Sequence, residues 1–170
     1  MHCVLAQRDK QKLLIEVTQA VNAGLLTAKA SYEAAVEAAT HSEAKAENDK
    51  DTRGLEQSYV ARGQAQRVIE LETALAALAT HAELLVRPIL AGQAVRLGAL
   101  VQCSVQVGTR APFAITYWLA PAGGGITVAD IVVVTPQSPL GRALIGKLVD
   151  DEFEFGDGPS AKSYTVQAIA

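Results

Sequence analysis

Cysteine is almost absent from this 170-residue chain, with Cys3 and Cys103 the only two. Two thiols far apart in sequence supply neither a disulfide framework nor a zinc quartet. Aromatic residues make up 5%, too few for a surface that stacks nucleic-acid bases. Excess positive charge is lacking as well. Lys and Arg number 15 against 18 Asp and Glu, for a formal charge of −3. That is the wrong sign for a protein that holds nucleic acid by neutralising phosphates. No uncharged apolar run reaches the roughly 18–20 residues of a spanning helix, so no membrane is expected as a partner. The opening Met1-His2-Cys3-Val4 lacks the charged-then-apolar pattern of a secretory leader. The expected setting is therefore cytoplasmic and reducing. Against these absences stand 49% hydrophobic and 19% charged residues, the composition of a chain that folds.

Proline divides the chain. None occurs between Arg8 and Leu85, a stretch rich in Ala, Leu and Glu, and all six follow Arg87. The second half is biased toward Val, Ile, Phe and Tyr. That is a change from helical to strand composition, with Pro88 ending the last helix. Two domains are expected, residues 1–87 and 88–170.

In the first half, Leu14, Val17, Val21, Leu25, Ala28, Tyr32, Ala35 and Ala39 step by three and four, as do Ala61, Ala65, Val68, Leu71, Leu75, Leu78, Ala82 and Leu85. Each set makes one apolar seam along a helix. The polar stretch at about 41–54 has no seam and reads as the tip of an antiparallel helical hairpin. Arms of this length are about 50 Å long at 1.5 Å per residue. Two narrow seams facing only each other describe a projecting rod.

The second half reads as strands over Val95–Val107, Ala111–Leu119, Val128–Val134, Glu152–Phe155 and Ser163–Ile169. Between them, Ser138-Pro139 and Gly146 punctuate one short helix: N-cap, first position and stop. The whole is α+β: a long helical hairpin followed by a small β domain with one short helix.

Candidate chemistry is sparse. The tip carries Glu43, Glu47, Asp49 and Asp51, with Lys45 and Lys50 as partial offsets. A charged, solvated helix–loop–helix tip explains the pattern; so does oxygen ligation of a hard cation such as Mg²⁺ when another molecule completes the shell. His2, His41 and His81 form no cluster, and Gly123-Gly124-Gly125 is followed by no Lys-Ser/Thr, so it is a loop rather than a phosphate cradle. No serine has a Gly-x-Ser-x-Gly context. The residues alone describe an interaction protein.

One segment is more specific. Ser138-Pro139-Leu140-Gly141-Arg142-Ala143-Leu144-Ile145-Gly146-Lys147 resembles the Ser-Pro-x-x-Arg-Ala-Leu-x-Gly-Lys segment of the bacterial Gre transcript-cleavage factors (GreA and GreB) and matches it without a gap. Val95–Val101, Asp151–Phe155 and Tyr164–Val166 resemble strands of that family's C-terminal domain. The hairpin is similar in kind and place to its N-terminal coiled coil.

The resemblance implies an FKBP-like fold for 88–170 and a coiled coil before it. It implies a transcription elongation factor that binds RNA polymerase at the secondary channel and stimulates cleavage of backtracked RNA. Such a factor is not itself an enzyme but an accessory to the polymerase's own hydrolysis. By resemblance, Glu43, Glu47, Asp49 and Asp51 are the catalytic tip residues. Glu47 and Asp51 would hold Mg²⁺ jointly with the polymerase, and no cofactor is tightly bound. Gln137, Ser138 and Pro139 would contact the polymerase. RNA and DNA are met only within the elongation complex, and a monomer is expected. The family's two key carboxylates stand three residues apart, whereas Glu43 and Glu47 are four apart. The alternative is a regulator of the same channel that binds polymerase without promoting cleavage. Fold analogy with FKBP also raises prolyl isomerisation, which would require Phe113, Tyr117, Trp118, Phe153, Phe155 and Tyr164 to line a pocket.

Overall fold

The structure is a computed structural model that describes residues 9–44, 53–156 and 161–170. It is α+β, in the order α1 (Lys10–Ala44), α2 (Arg53–Thr80), α3 (Ala82–Val86), β1 (Leu100–Val107), β2 (Phe113–Leu119), β3 (Thr127–Val128), β4 (Ile131–Val134), α4 (Pro139–Leu144), β5 (Glu152–Phe155) and β6 (Lys162–Ile169). No described helix is long and apolar enough to cross a membrane.

The chain forms two compact units, residues 19–76 and a second that joins the stretch up to Thr18 with Ala77–Ala170. The compositional change at 87/88 marks where helix gives way to strand. The compact units divide elsewhere, because the first turns of α1 belong with the sheet.

In the sheet unit the strand order is β3-β4-β2-β1-β6-β5. Neighbours are antiparallel except β2 and β4, which run parallel with Trp118 opposite Val133. Alternation along the strands sends Val101, Cys103, Val105, Tyr117, Leu119, Val134, Tyr164 and Val166 into one core with Leu144 of α4. The residues between them, Leu100, Trp118, Ile131 and Val133, point to the other face and are also sealed from solvent. The base of α1 accounts for part of that cover. A side chain on Gly123 would meet Val17 at 3.0 Å and Val133 at 3.8 Å, and Leu13, Leu14 and Val17 are buried. The α1 seam therefore does not face only its partner helix: its first two turns cover the sheet.

Asp9 caps α1, its Oδ1 accepting from Lys12 N at 3.0 Å. Lys10 is buried, and its ammonium donates at 2.8 Å to the carbonyls of both Arg87 and Gly98. Gly98 has φ 86°, and a Cβ there would stand 2.7 Å from Leu84 O. That turn delays the start of the expected strand, so Val95–Ala99 is a loop and β1 begins at Leu100. The expected single strand over Val128–Val134 is instead a tight hairpin, β3 to β4, turning at Ala129 with φ 54°.

In the helical unit, α1 and α2 touch where Leu71 lies 3.8 Å from the position of a Cβ on Gly24. Lys29 pairs with Glu72 at 2.8 Å, both half exposed. Of the expected seams, Val21, Leu25, Ala28, Ala35 and Leu71 are buried. Ala61, Ala65, Val68 and Leu75 are half-buried, and Tyr32 is exposed.

Candidate functional site

The segment singled out by sequence folds as a tightly determined unit. Ser138 stands in extended conformation as the N-cap of α4, with Pro139 in the first turn. Its hydroxyl donates to Thr135 O at 2.7 Å and accepts from Gly141 N at 3.1 Å. Gly141 is buried against the preceding turn, and a Cβ there would collide with the Thr135 carbonyl, whose carbon is 2.8 Å away. Leu144 fills the core with no exposure. Gly146, at φ 82°, turns the chain and donates to Val95 O at 2.9 Å. Lys147 places its ammonium 5.5 Å from the Phe153 ring centroid, within cation–π range.

The expected polymerase contacts thus differ in what they leave free. Gln137 and Pro139 are exposed, while Ser138 is half-buried with its hydroxyl engaged on both sides. Sequence reasoning singled these out and passed over Arg142. Arg142 is exposed and makes no ion pair or side-chain hydrogen bond among the described residues. Its signal was present in the motif: it is the charged residue three positions after Pro139, on the same side of a helix whose other side, Gly141 and Leu144, is buried.

Of the tip carboxylates, Glu43 falls near the end of α1, and Glu47, Asp49 and Asp51 lie outside the described residues. Among the described residues, no group of three or more His, Cys, Asp or Glu is placed to hold a metal ion.

The aromatic residues do not converge on one pocket. Tyr164 stacks on Phe153 at 5.0 Å, meets Phe155 edge-on at 6.3 Å and Tyr117 at 6.4 Å, all as core packing. Trp118 lies on the opposite face, its indole N–H buried without a hydrogen-bond partner among the described residues, and Phe113 is exposed. Burial, then the hydrogen bond with Tyr164, raises the Tyr117 phenol above its ordinary range. Burial also pushes the Cys103 thiol up to about 12, which makes it an inert core residue rather than a nucleophile.

Fold and site together describe an α+β protein in which a pair of long helices precedes a mixed sheet, with a capped short helix at the surface. No protein-family model and no curated protein matches the chain. Solved structures similar to it include the GreA factor homolog 1 (Gfh1) protein of Thermus thermophilus, 17% identical with a TM-score of 0.38, covering 90% of this chain and 94% of that one. A structure of the transcription factor Gfh1 is 17% identical with a TM-score of 0.39, over 89% and 92% of the two chains. Thermus aquaticus Gfh1 is 18% identical with a TM-score of 0.39, over the same shares of 89% and 92%.

Proposed function

We propose that this chain is a Gre-like transcription factor that binds RNA polymerase at its secondary channel and stimulates cleavage of backtracked RNA. The observation that carries the reading is the segment Ser138–Lys147. It agrees with the Gre segment at every specified position, and in the fold it forms a capped helix displayed at the surface. The pair of long helices before the sheet supports it, since α1 has 35 residues and is about 52 Å long at 1.5 Å per residue. On this reading, that length serves to reach a buried catalytic centre.

On this reading the chain is an accessory to the polymerase's hydrolysis, not an enzyme by itself. The tip donors, Glu43, Glu47, Asp49 and Asp51, are all carboxylates, the hard oxygen ligands that suit Mg²⁺. Glu47 and Asp51 would hold the cation together with the polymerase. Held there, the cation would activate water and stabilise leaving-group charge. One feature favours the second reading, a channel regulator that does not promote cleavage: the four-residue separation of Glu43 and Glu47. The test is RNA cleavage in a purified, artificially backtracked elongation complex at fixed Mg²⁺. Faster release of 3′ RNA fragments on adding the chain is the expected result. Unchanged release, with competition against a GreA-type factor, would replace it with the second reading.

A further inference from the structure

Within residues 19–76 the two long helices are joined by a charged pair as well as by their seam. Lys29 of α1 and Glu72 of α2 meet at 2.8 Å. Each follows a buried seam residue by one position, Ala28 and Leu71 respectively, so the pair borders the seam. Flanking positions of this kind are where charged pairs set the alignment of neighbouring helices in a coiled coil. Both side chains are half exposed, and solvent screening keeps the contribution of such a pair to stability small. What a weak pair with one preferred geometry does well is select among alignments of similar stability.

The seam beyond that pair leaves such a choice open. Toward the far end of the arms, Ala35 is buried, but Tyr32, Val36 and Val60 are 38%, 39% and 49% exposed, and Ala61 and Ala65 are half-buried. Alanine presents no large knob that must find one hole. A helix shifted slightly along its partner therefore loses little apolar burial. The consequence grows with distance from the pair. From Lys29, α1 continues to Ala44, about 22 Å further at 1.5 Å per residue. Groups that share a cation must be placed within about half an ångström, and a misplacement of about 1 Å can cost about a hundredfold in rate. A pair too weak to govern stability is thus strong enough to govern chemistry at the end of the arms.

We propose that Lys29 and Glu72 are positioning residues: their ion pair sets the register of α1 against α2 and thereby the placement of the tip carboxylates. The proposal rests on the cleavage reading given above. It is tested in the full chain by charge reversal, with Lys29→Glu, Glu72→Lys and the double exchange. RNA cleavage in the backtracked complex is measured against the concentration of added chain, which separates maximal rate from half-saturation. Each single reversal should lower the maximal rate about fivefold and leave half-saturation and Tm unchanged. The double exchange should recover the rate. Spin labels at Ala34→Cys and Ser58→Cys, in a chain carrying Cys3→Ser, report the spacing of the arms without polymerase. Each single reversal should shift or broaden that distance distribution, and the double exchange should restore it. Single reversals that keep the rate within twofold, a double exchange that recovers nothing, or losses that follow half-saturation or Tm overturn the pair's role and leave the cleavage reading standing. An unaltered chain that does not stimulate cleavage overturns that reading and the positioning role with it, whatever the label distances show.

Discussion

In the sheet unit the side chains sealed from solvent include large ones: Trp118, Leu78, Leu85, Leu100, Leu119 and Leu144. Among the described residues of 19–76 the buried set is Val21, Leu25, Ala28, Ala35 and Leu71, and the rest of the seam is half-buried at best. Burial contributes roughly 25 cal/mol per Å², so alanines gain little from packing. The helical unit therefore depends on local helix preference, supplied by its Ala, Leu, Glu, Lys and Gln, and on length. The sheet unit depends on close packing. Glycine makes the contrast visible. Gly141 is required by a backbone that passes too close for a Cβ, whereas Gly63 has nothing within 4 Å of where its Cβ would be.

The largest break in that contrast should come from Leu144→Ala, with a loss of about 2–5 kcal/mol in urea unfolding of the sheet unit. Gly141→Ala comes next, at about 1–3 kcal/mol of destabilisation from overpacking, although Ala is ordinarily the better helix residue. Gly63→Ala should have the opposite sign: about 1 kcal/mol of added helix stability, read as slower amide exchange along α2 only. Ser138→Ala should lose about 1 kcal/mol through the missing cap, detected as a lower Tm.

A pH dependence is also expected at Lys10. Burial, with the Arg96 charge second, lowers its ammonium from 10.5 to about 8. Between those values the unfolded chain holds the proton and the folded chain releases it, so stability should rise with pH across that window. Thermal unfolding from pH 8 to 10.5 should show the rise in the unaltered chain and lose it in Lys10→Met.

Much of the architecture was legible in residue spacing. The seams named α1 and α2, and Ser138-Pro139 with Gly146 named α4, because those residues act locally on the backbone. What stayed hidden was set by neighbours distant in sequence. Periodicity shows that Leu14 and Val17 face something apolar but not that it is the sheet. Val95, Leu97 and Ala99 alternate like a strand, yet the approach of Gly98 to Leu84 O turns the chain. Ala129-Asp130 carries no Asn-Gly or Asp-Gly turn signal, so the β3–β4 hairpin read as one strand. In the candidate site, the cap role of Ser138 was legible. That Arg142 makes no ion pair among the described residues was not, since pairing is set by neighbours distant in sequence.

The central claim is that the sheet unit holds the polymerase and the acidic tip acts within it. The most direct measurement follows occupancy and RNA cleavage in the same backtracked complex, for the unaltered chain and for Glu47→Ala/Asp51→Ala. The account expects the variant to occupy the polymerase with unchanged affinity and to lose stimulation of cleavage. Stimulation that survives the double substitution, or occupancy lost with it, would contradict the account.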